Sequence, residues 1–243
     1  MTSPSSTDPF YEAYDRDDVA YGMTASAMLS AYLNQVGGEG DVYDLAAGAG
    51  RDTIALAKSG FHVTAIDISQ RGLDRIAERS ATDGCHENVN VICSDVRDVD
   101  FPTGTLAGVV ATTMLDHIPA ADAQVVWDRI CGSLRGDGFL YAEVHTTEDP
   151  GCDQPPGCDS SRPVSETASA VVNYFRPNQL AQWAVRPESG LRILQYAERI
   201  EWDYTHGPEH AHGKAVLLAV RDGHHPDWLG QPPAFPRRPR PQA

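Results

Sequence analysis

Val42-Tyr43-Asp44-Leu45-Ala46-Ala47-Gly48-Ala49-Gly50-Arg51-Asp52 is the stretch that decides how this chain is read. It runs from a short buried strand (residues 41–46) through a glycine turn into a helix (residues 51–58) that Gly60 stops. Gly48 and Gly50 let a ligand lie against bare backbone. The helix that follows opens with free N–H groups. A lone Gly-x-Gly is weak evidence, because ordinary α/β turns carry one by chance.

Two acids further along raise its value. The strand at residues 61–67 ends in Asp67, seventeen residues after Gly50. An acid there accepts hydrogen bonds from both hydroxyls of a ribose. The third strand (residues 89–94) leads into Asp95 and Val96. Asp95 is placed to accept from an adenine amino group, and the next backbone N–H to donate to a ring nitrogen. In an open parallel sheet all three features face one crevice at the carboxyl ends of the strands. A dinucleotide fingerprint wants a small third residue where Thr53 stands. Asp44, just before the turn, repels a pyrophosphate and suits a cation. S-adenosylmethionine, with its ammonium and sulfonium, answers that electrostatic demand.

Outward from the turn, strand and helix patterns alternate. Ser69 caps a helix to about residue 80, residues 106–112 form a fourth strand, 121–134 a helix ended by Gly136, and 138–145 a fifth strand. This rhythm predicts right-handed βαβ units. A helical segment (residues 9–36) precedes them. After His145 comes a long loop over residues 148–163, rich in Gly and Pro. One or two helices over 165–184 and two strands, 191–204 and 214–221, complete the pattern. Residues 224–243 hold six prolines and three arginines and read as a flexible tail.

The runs DLAAGAGRDTIALAKSGFHVTAIDIS (44–69) and SDVRDVDFPTGTLAGVVATTMLDHIP (94–119) resemble the class I S-adenosylmethionine-dependent methyltransferases. The likeness is strongest to the tellurite-resistance-type enzymes that act on small molecules, and it covers about residues 14–221. It implies a Rossmann-like α/β fold: a seven-stranded, mostly parallel sheet with helices on both faces and the last strand antiparallel. The domains would be an N-terminal helical cover (1–36), a catalytic domain (37–223) with a lid insertion at about 146–185, and the tail (224–243). The family's first motif reads Asp-x-Gly-x-Gly-x-Gly; here Ala46 replaces its first glycine and Ala47 follows it. Carried over by motif, Asp44, Ala46, Gly48 and Gly50 face the methionine end. Asp67 holds the ribose, Ile68 lies beside the adenine, and Asp95 and Val96 read its edge. Thr112, Thr113 and Met114 line the cofactor, and Tyr14, Tyr21 and Gly22 cover it.

Methyl transfer is an in-line displacement, so alignment and exclusion of water matter more than a fixed dyad. A base is needed only for an acceptor that carries a proton. His117 and His145, on the rim after the fourth and fifth strands, are candidate bases; His117 also reads as a packing residue beneath the next helix. Glu143 is read as facing a neighbouring helix. The run His206-Gly207-Pro208-Glu209-His210-Ala211-His212-Gly213 projects over the crevice if the seventh strand is antiparallel. Its imidazoles suit anion binding, proton transfer or a metal. The substrate-facing reading is preferred, with His210 and His212 as candidate catalytic groups, His206 toward the substrate, and no metal assigned. Tyr174 and Arg176 are candidate substrate binders, while Phe175 and Trp183 read equally as wall or core.

Composition narrows the partners. The chain has 243 residues and a formal charge of −15, which argues against nucleic acid and anionic membrane. No apolar run approaches a bilayer span and the first residues lack a hydrophobic signal core, so the expected compartment is the cytoplasm. Five scattered cysteines read as reduced thiols, with Cys152 and Cys158 the one pair close enough to bond. The expectation is therefore a cytoplasmic monomer or homodimer that methylates a small molecule with S-adenosylmethionine. Two alternatives stand beside it: cyclisation or elimination of the cofactor, releasing methylthioadenosine, and non-catalytic cofactor binding.

Overall fold

The computed structural model describes residues 10–16, 20–154 and 161–227. Seven strands form one sheet in the order β3-β2-β1-β4-β5-β7-β6. They are β1 (Asp41–Leu45), β2 (His62–Asp67), β3 (Val89–Cys93), β4 (Leu106–Thr112), β5 (Leu134–His145), β6 (Leu191–Asp203) and β7 (His210–Arg221). All pairings are parallel except those of β7, which runs against both β5 and β6. The chain reverses direction of travel between β3 and β4, on either side of β1, and opens a crevice at the carboxyl ends of the strands.

The two faces of the sheet are apolar for different reasons. On one, Val109, Leu140, Ala142, Val144 and Leu217 pack against α5 (Ala120–Ser133), through Val126, Trp127 and Ile130, and against α7 (Gln179–Ala184). Phe175 and Trp183 belong to this core rather than to a substrate wall. On the other, Val42, Val110, Phe139, Tyr141, Val216 and Leu218 meet α2 (Ala27–Leu33) and α3 (Arg51–Lys58). The helix α4 (Gln70–Thr82) seats Leu73 and Ile76 on Ala65. Ser69 caps α4 as its sequence predicts, its hydroxyl accepting from the Gly72 N–H at 3.2 Å. No helix among the described residues is long and apolar enough to cross a membrane.

Four boundaries differ from the sequence reading. The single helical pattern over 9–36 resolves into α1 (Tyr11–Arg16) and α2, with Tyr21 and Gly22 both at positive φ between them. The fifth strand β5 starts at Leu134 rather than at residue 138, because Leu134 already pairs with Leu106, and α5 accordingly ends at Ser133. Only one turn of 3₁₀ helix (Ala168–Ala170) and α7 form in the region expected to be helical over 165–184. Its backbone bonds elsewhere: the Val172 and Asn173 N–H groups both donate to the Asp116 carbonyl, and Phe175 bridges Thr146. Most consequential, β7 starts at His210 rather than Lys214, because His210, Ala211 and His212 pair with Asp203, Trp202 and Glu201. Within the loop after β5 a four-residue helix, α6 (Pro150–Asp153), is capped by Asp149. Residues 155–160 and 228–243, the rest of that loop and most of the tail, lie outside the described residues. Cys152 is a free thiol, and Cys158 lies outside them too.

At the β4–β5 seam Gly108 has no room for a side chain. A Cβ added at Gly108 would lie 2.2 Å from Cε1 of Phe139, a ring fully enclosed between Tyr32 and Phe61. Gly108→Ala is therefore expected to cost about 1–3 kcal/mol, read as a lower urea midpoint with an unchanged slope.

Candidate functional site

The glycine turn is built from left-handed backbone. Ala46 (φ 56°), Gly48 (φ 55°) and Gly50 (φ 83°) all lie there, and the turn closes through Gly50 N–H to the Ala47 carbonyl at 2.9 Å. Ala46 occupies the conformation a glycine takes without cost, so its methyl is carried at a strain of about 1 kcal/mol. A Cβ at Gly50 would meet Ile76 at 2.8 Å, and one at Gly48 would meet the Tyr14 hydroxyl at 2.5 Å. Gly50 is thus required by packing against α4, and Gly48 by the approach of the N-terminal segment.

The acids at the strand ends brace this turn. Asp67 accepts from the Gly48 N–H at 2.8 Å and from the Ser69 N–H at 2.7 Å, which ties β1 to β2 at the crevice. Asp95 lines the same cavity, and its carboxylate is clasped by Arg97, with Nε at 2.9 Å and a terminal nitrogen at 2.6 Å. That hydrogen bonding outweighs partial burial and holds Asp95 below the usual carboxylate range. Ile68 stands 49% exposed over the crevice, an apolar face in an otherwise hydrogen-bonded rim. Val96, Thr112, Thr113 and Met114 line the same cavity. Thr113 is held at φ 49° by its N–H, which donates to the Glu143 carbonyl at 2.9 Å.

Beneath the turn lies a set of buried charges that sequence reasoning only partly found. The Asp44 carboxylate accepts from the Thr53 hydroxyl at 2.5 Å. Burial, then the nearby Asp52 charge, push its pKa up to about 8, so it is mainly neutral at pH 7. Its predicted repulsion of a pyrophosphate is correspondingly muted. Asp52 takes a hydrogen bond from Thr112 at 2.8 Å and a salt bridge from Arg51 at 3.1 Å. In the sequence Asp52 looks like a routine first-turn acid on a helix. Glu143 faces α3 as expected, accepts from the Tyr141 hydroxyl, and lies 3.8 Å from Arg51.

The other half of the cavity is bordered by a chain of histidines and aspartates. His145 Nδ1 donates to Asp116 at 2.5 Å, and the His145 N–H donates to the same oxygen at 2.8 Å. His117 Nδ1 donates to the Ala170 carbonyl at 3.0 Å. Burial pushes its pKa down. His212 Nδ1 and the Gly213 N–H share Asp149 Oδ2, at 2.9 and 3.0 Å. Burial pushes Asp149 up, but the His212 bond, with the charges of His145 and His212, more than reverses it. Asp116 and Asp149 orient the two rings, and sequence reasoning assigned neither a role. Their only signal was an acid beside a histidine or inside a Gly/Pro-rich loop.

His117, His145, His206, His212, Tyr14, Tyr21 and Tyr174 all line one cavity with the glycine turn, Asp44 and Asp67. Its volume is about 830 Å³. Two expected members are elsewhere. Arg176 is exposed and its Nε points to Gln179 at 3.5 Å, because the loop before α7 turns it outward. His210 is fully buried behind His212 rather than lining the cavity, since β7 begins at it.

Comparison with known proteins follows the same outline. Residues 42–138 match a family described as a methyltransferase domain. A carboxy-S-adenosyl-L-methionine synthase of Shewanella frigidimarina is 27% identical over 157 residues, 58% of this chain and 64% of that protein. The chain thus spans just under two thirds of that curated relative. Among solved structures, TehB from Haemophilus influenzae superposes with a TM-score of 0.64 at 15% identity, covering 82% of this chain and 63% of that one. The 1,6-didemethyltoxoflavin-N1-methyltransferase of Burkholderia thailandensis, solved with S-adenosylhomocysteine, superposes with a TM-score of 0.62 at 20% identity, covering 91% and 92%. At these identities the structures attest the fold.

The neutral Asp44 makes stability depend on pH in a defined direction. Its folded pKa, about 8, lies above the unfolded value of 3.8. The native state therefore binds more protons than the unfolded one between those limits, and stability falls as pH rises through that window. Asp44→Asn removes this dependence. The melting temperature of the variant relative to the parent is expected to rise from pH 5 to pH 9; a constant difference would mean that Asp44 is ionised throughout. Ala46→Gly, which relieves the left-handed methyl, is expected to raise stability by up to about 1 kcal/mol.

Proposed function

From the match of residues 42–138 to a methyltransferase domain and from the fold, we propose that the chain transfers the methyl group of S-adenosylmethionine to a small-molecule acceptor. The observation that carries this reading is continuity. A single cavity joins the glycine turn and ribose acid to a rim of oriented histidines.

The residues present fit the cofactor. Gly48 brings side-chain-free backbone to the turn, Ile68 offers an exposed apolar face, and the Asp67 carboxylate lies beside the Gly48 N–H. Asp44, neutral when alone, gains its charge next to an ammonium, so binding of a cation below pH 8 releases a proton. Bound S-adenosylmethionine supplies an electrophilic methyl carbon on a sulfonium. Tyr14 and Tyr21, packed edge to face at 5.6 Å, cover the turn and exclude water. Tyr174 and the segment carrying Ala168 and Ala170 close the acceptor side. For an acceptor that carries a proton, His145 is the group placed to receive it. Asp116 fixes its Nδ1–H and leaves Nε2 with the lone pair. The negative overall charge and the cavity of about 830 Å³ favour a small molecule over a nucleic acid.

Calorimetric titration with S-adenosylmethionine, followed by mass spectrometry of the cofactor product, tests this. Micromolar binding and S-adenosylhomocysteine formation with cell extract as acceptor source are expected. Methylthioadenosine would point instead to cyclisation or elimination, and a carboxylated cofactor to the chemistry named for the curated relative. Asp67→Asn is expected to weaken binding by about 10- to 100-fold, the worth of charge-assisted hydrogen bonds to the ribose. Preference for NAD, or no binding, would overturn the reading. His145→Ala is expected to lower kcat by about 100-fold or more with little change in cofactor affinity.

A further inference from the structure

Three histidines at the start of β7 and in the turn before it converge beside the acceptor half of the cavity. Ring nitrogens of His206, His210 and His212 all lie within 4.8 Å of one another. His210 and His212 stand two residues apart on a strand, so their side chains share a face. Their Nε2 atoms meet at 3.0 Å.

The tautomers are fixed from behind. His210 Nδ1 lies 2.7 Å from the Pro208 carbonyl, which can only accept, so Nδ1 carries the proton. His212 Nδ1 lies 2.9 Å from the Asp149 carboxylate and is likewise the donor. In the neutral rings both Nε2 atoms therefore present lone pairs to each other. Two lone pairs at that distance repel unless a cation lies between them. His206 adds a second, independent sign. Its side chain is 8% exposed, and neither ring nitrogen has a hydrogen-bond partner. The Asp203 carboxylate lies 3.7 Å from its Nδ1, beyond hydrogen-bond reach.

We propose that His206, His210 and His212 form a binding site for a divalent transition metal of the zinc type. Three neutral imidazoles are the ligand set of an open zinc site, which leaves the fourth position for solvent or substrate. With bonds of about 2.0–2.1 Å, tetrahedral ligands sit about 3.3 Å apart, close to the observed approach of the two Nε2 atoms. Asp149 completes a carboxylate–histidine–metal arrangement, and the Pro208 carbonyl does the same for His210. The nearby Lys214 ammonium is taken up by Glu201 at 3.2 Å and Glu143 at 4.0 Å. His206 and His212 line the cavity, so the open position faces the acceptor. A metal there would favour acceptors with an ionisable hydroxyl, thiol or carboxylate. This acceptor preference rests on the methyl-transfer reading, whereas the metal site does not.

The test uses the full chain, stripped with a chelator and titrated with cobalt(II) chloride under visible absorption, then with zinc sulfate. One equivalent of cobalt with the intense bands of a tetrahedral centre, displaced by zinc, is expected. Zinc affinity is expected to fall more than about 100-fold in His206→Ala and in His212→Ala, and about 10- to 100-fold in Asp149→Asn. It should be unchanged in His86→Ala, an exposed histidine elsewhere. Circular dichroism establishes that each variant is folded; His206→Gln replaces His206→Ala should that chain not fold. Weak octahedral bands, or equal zinc affinity in the parent and both ligand variants, would show adventitious ions or a shared proton alone and overturn the site. S-adenosylmethionine titration of the same samples separates the two readings. Cofactor binding without a cobalt centre sinks the metal site only, and a cobalt centre without cofactor binding sinks the methyl-transfer reading only.

Discussion

The pairing of His145 with Lys214 in the β5–β7 ladder sets the acceptor side of the molecule. Because β7 runs against β5, its first residues arrive at the edge where the parallel strands end and the glycine turn lies. The same register makes one face of the two strands change character along its length. Phe139, Tyr141, Val216 and Leu218 are core; Glu143, His145, Lys214 and His212 continue that face as polar groups. A slip of one residue in either strand would move its share of both sets to the opposite face and empty the site. Asp149 locks the arrangement by accepting from both the side chain of His212 and the backbone of Gly213.

The cofactor side depends on a different balance. Asp44, Asp52 and Glu143 lie close together around one guanidinium, that of Arg51. Isolated burial of three carboxylates is prohibitive, and the structure answers it twice: Arg51 pairs with two of them, and Asp44 takes up a proton. A ligand cation entering beside Asp44 replaces that proton and meets a charge that is created on arrival. The left-handed Ala46 and Thr113 flank the same crevice, so backbone strain and buried charge gather where binding can offset them.

Much of this was legible in the sequence because it rests on local signals. The strand–turn–helix order around the Gly-x-Gly and the Ser69 cap follow from residue type at fixed spacing, and both form. What escaped was set by partners distant in the chain. The His206–Gly213 segment reads as a turn until Glu201 and Trp202 are seen to pair with it, and that pairing moves His210 from the rim into the interior. Arg176 reads as a candidate substrate binder, but the backbone bonds that His145, Thr147 and Asp116 form with residues 172–175 turn it away. Asp116 and Asp149 carry no local signature, because their meaning lies in the histidines they orient.

The place of β7 in the sheet has a consequence for synthesis. β6 touches the sheet through β7 alone, and β7 is the last of the seven strands along the chain yet fills an interior position. While the polypeptide is being made, the β5 edge and the whole of β6 stay without a partner until residues near 221 have emerged. The acceptor side is therefore assembled after the cofactor side, in a step that joins residues more than 60 positions apart in the chain. Such late, long-range closure is slow and leaves an apolar edge open to association in the meantime. A nascent or truncated chain would thus hold the nucleoside crevice while lacking the wall that selects what is modified.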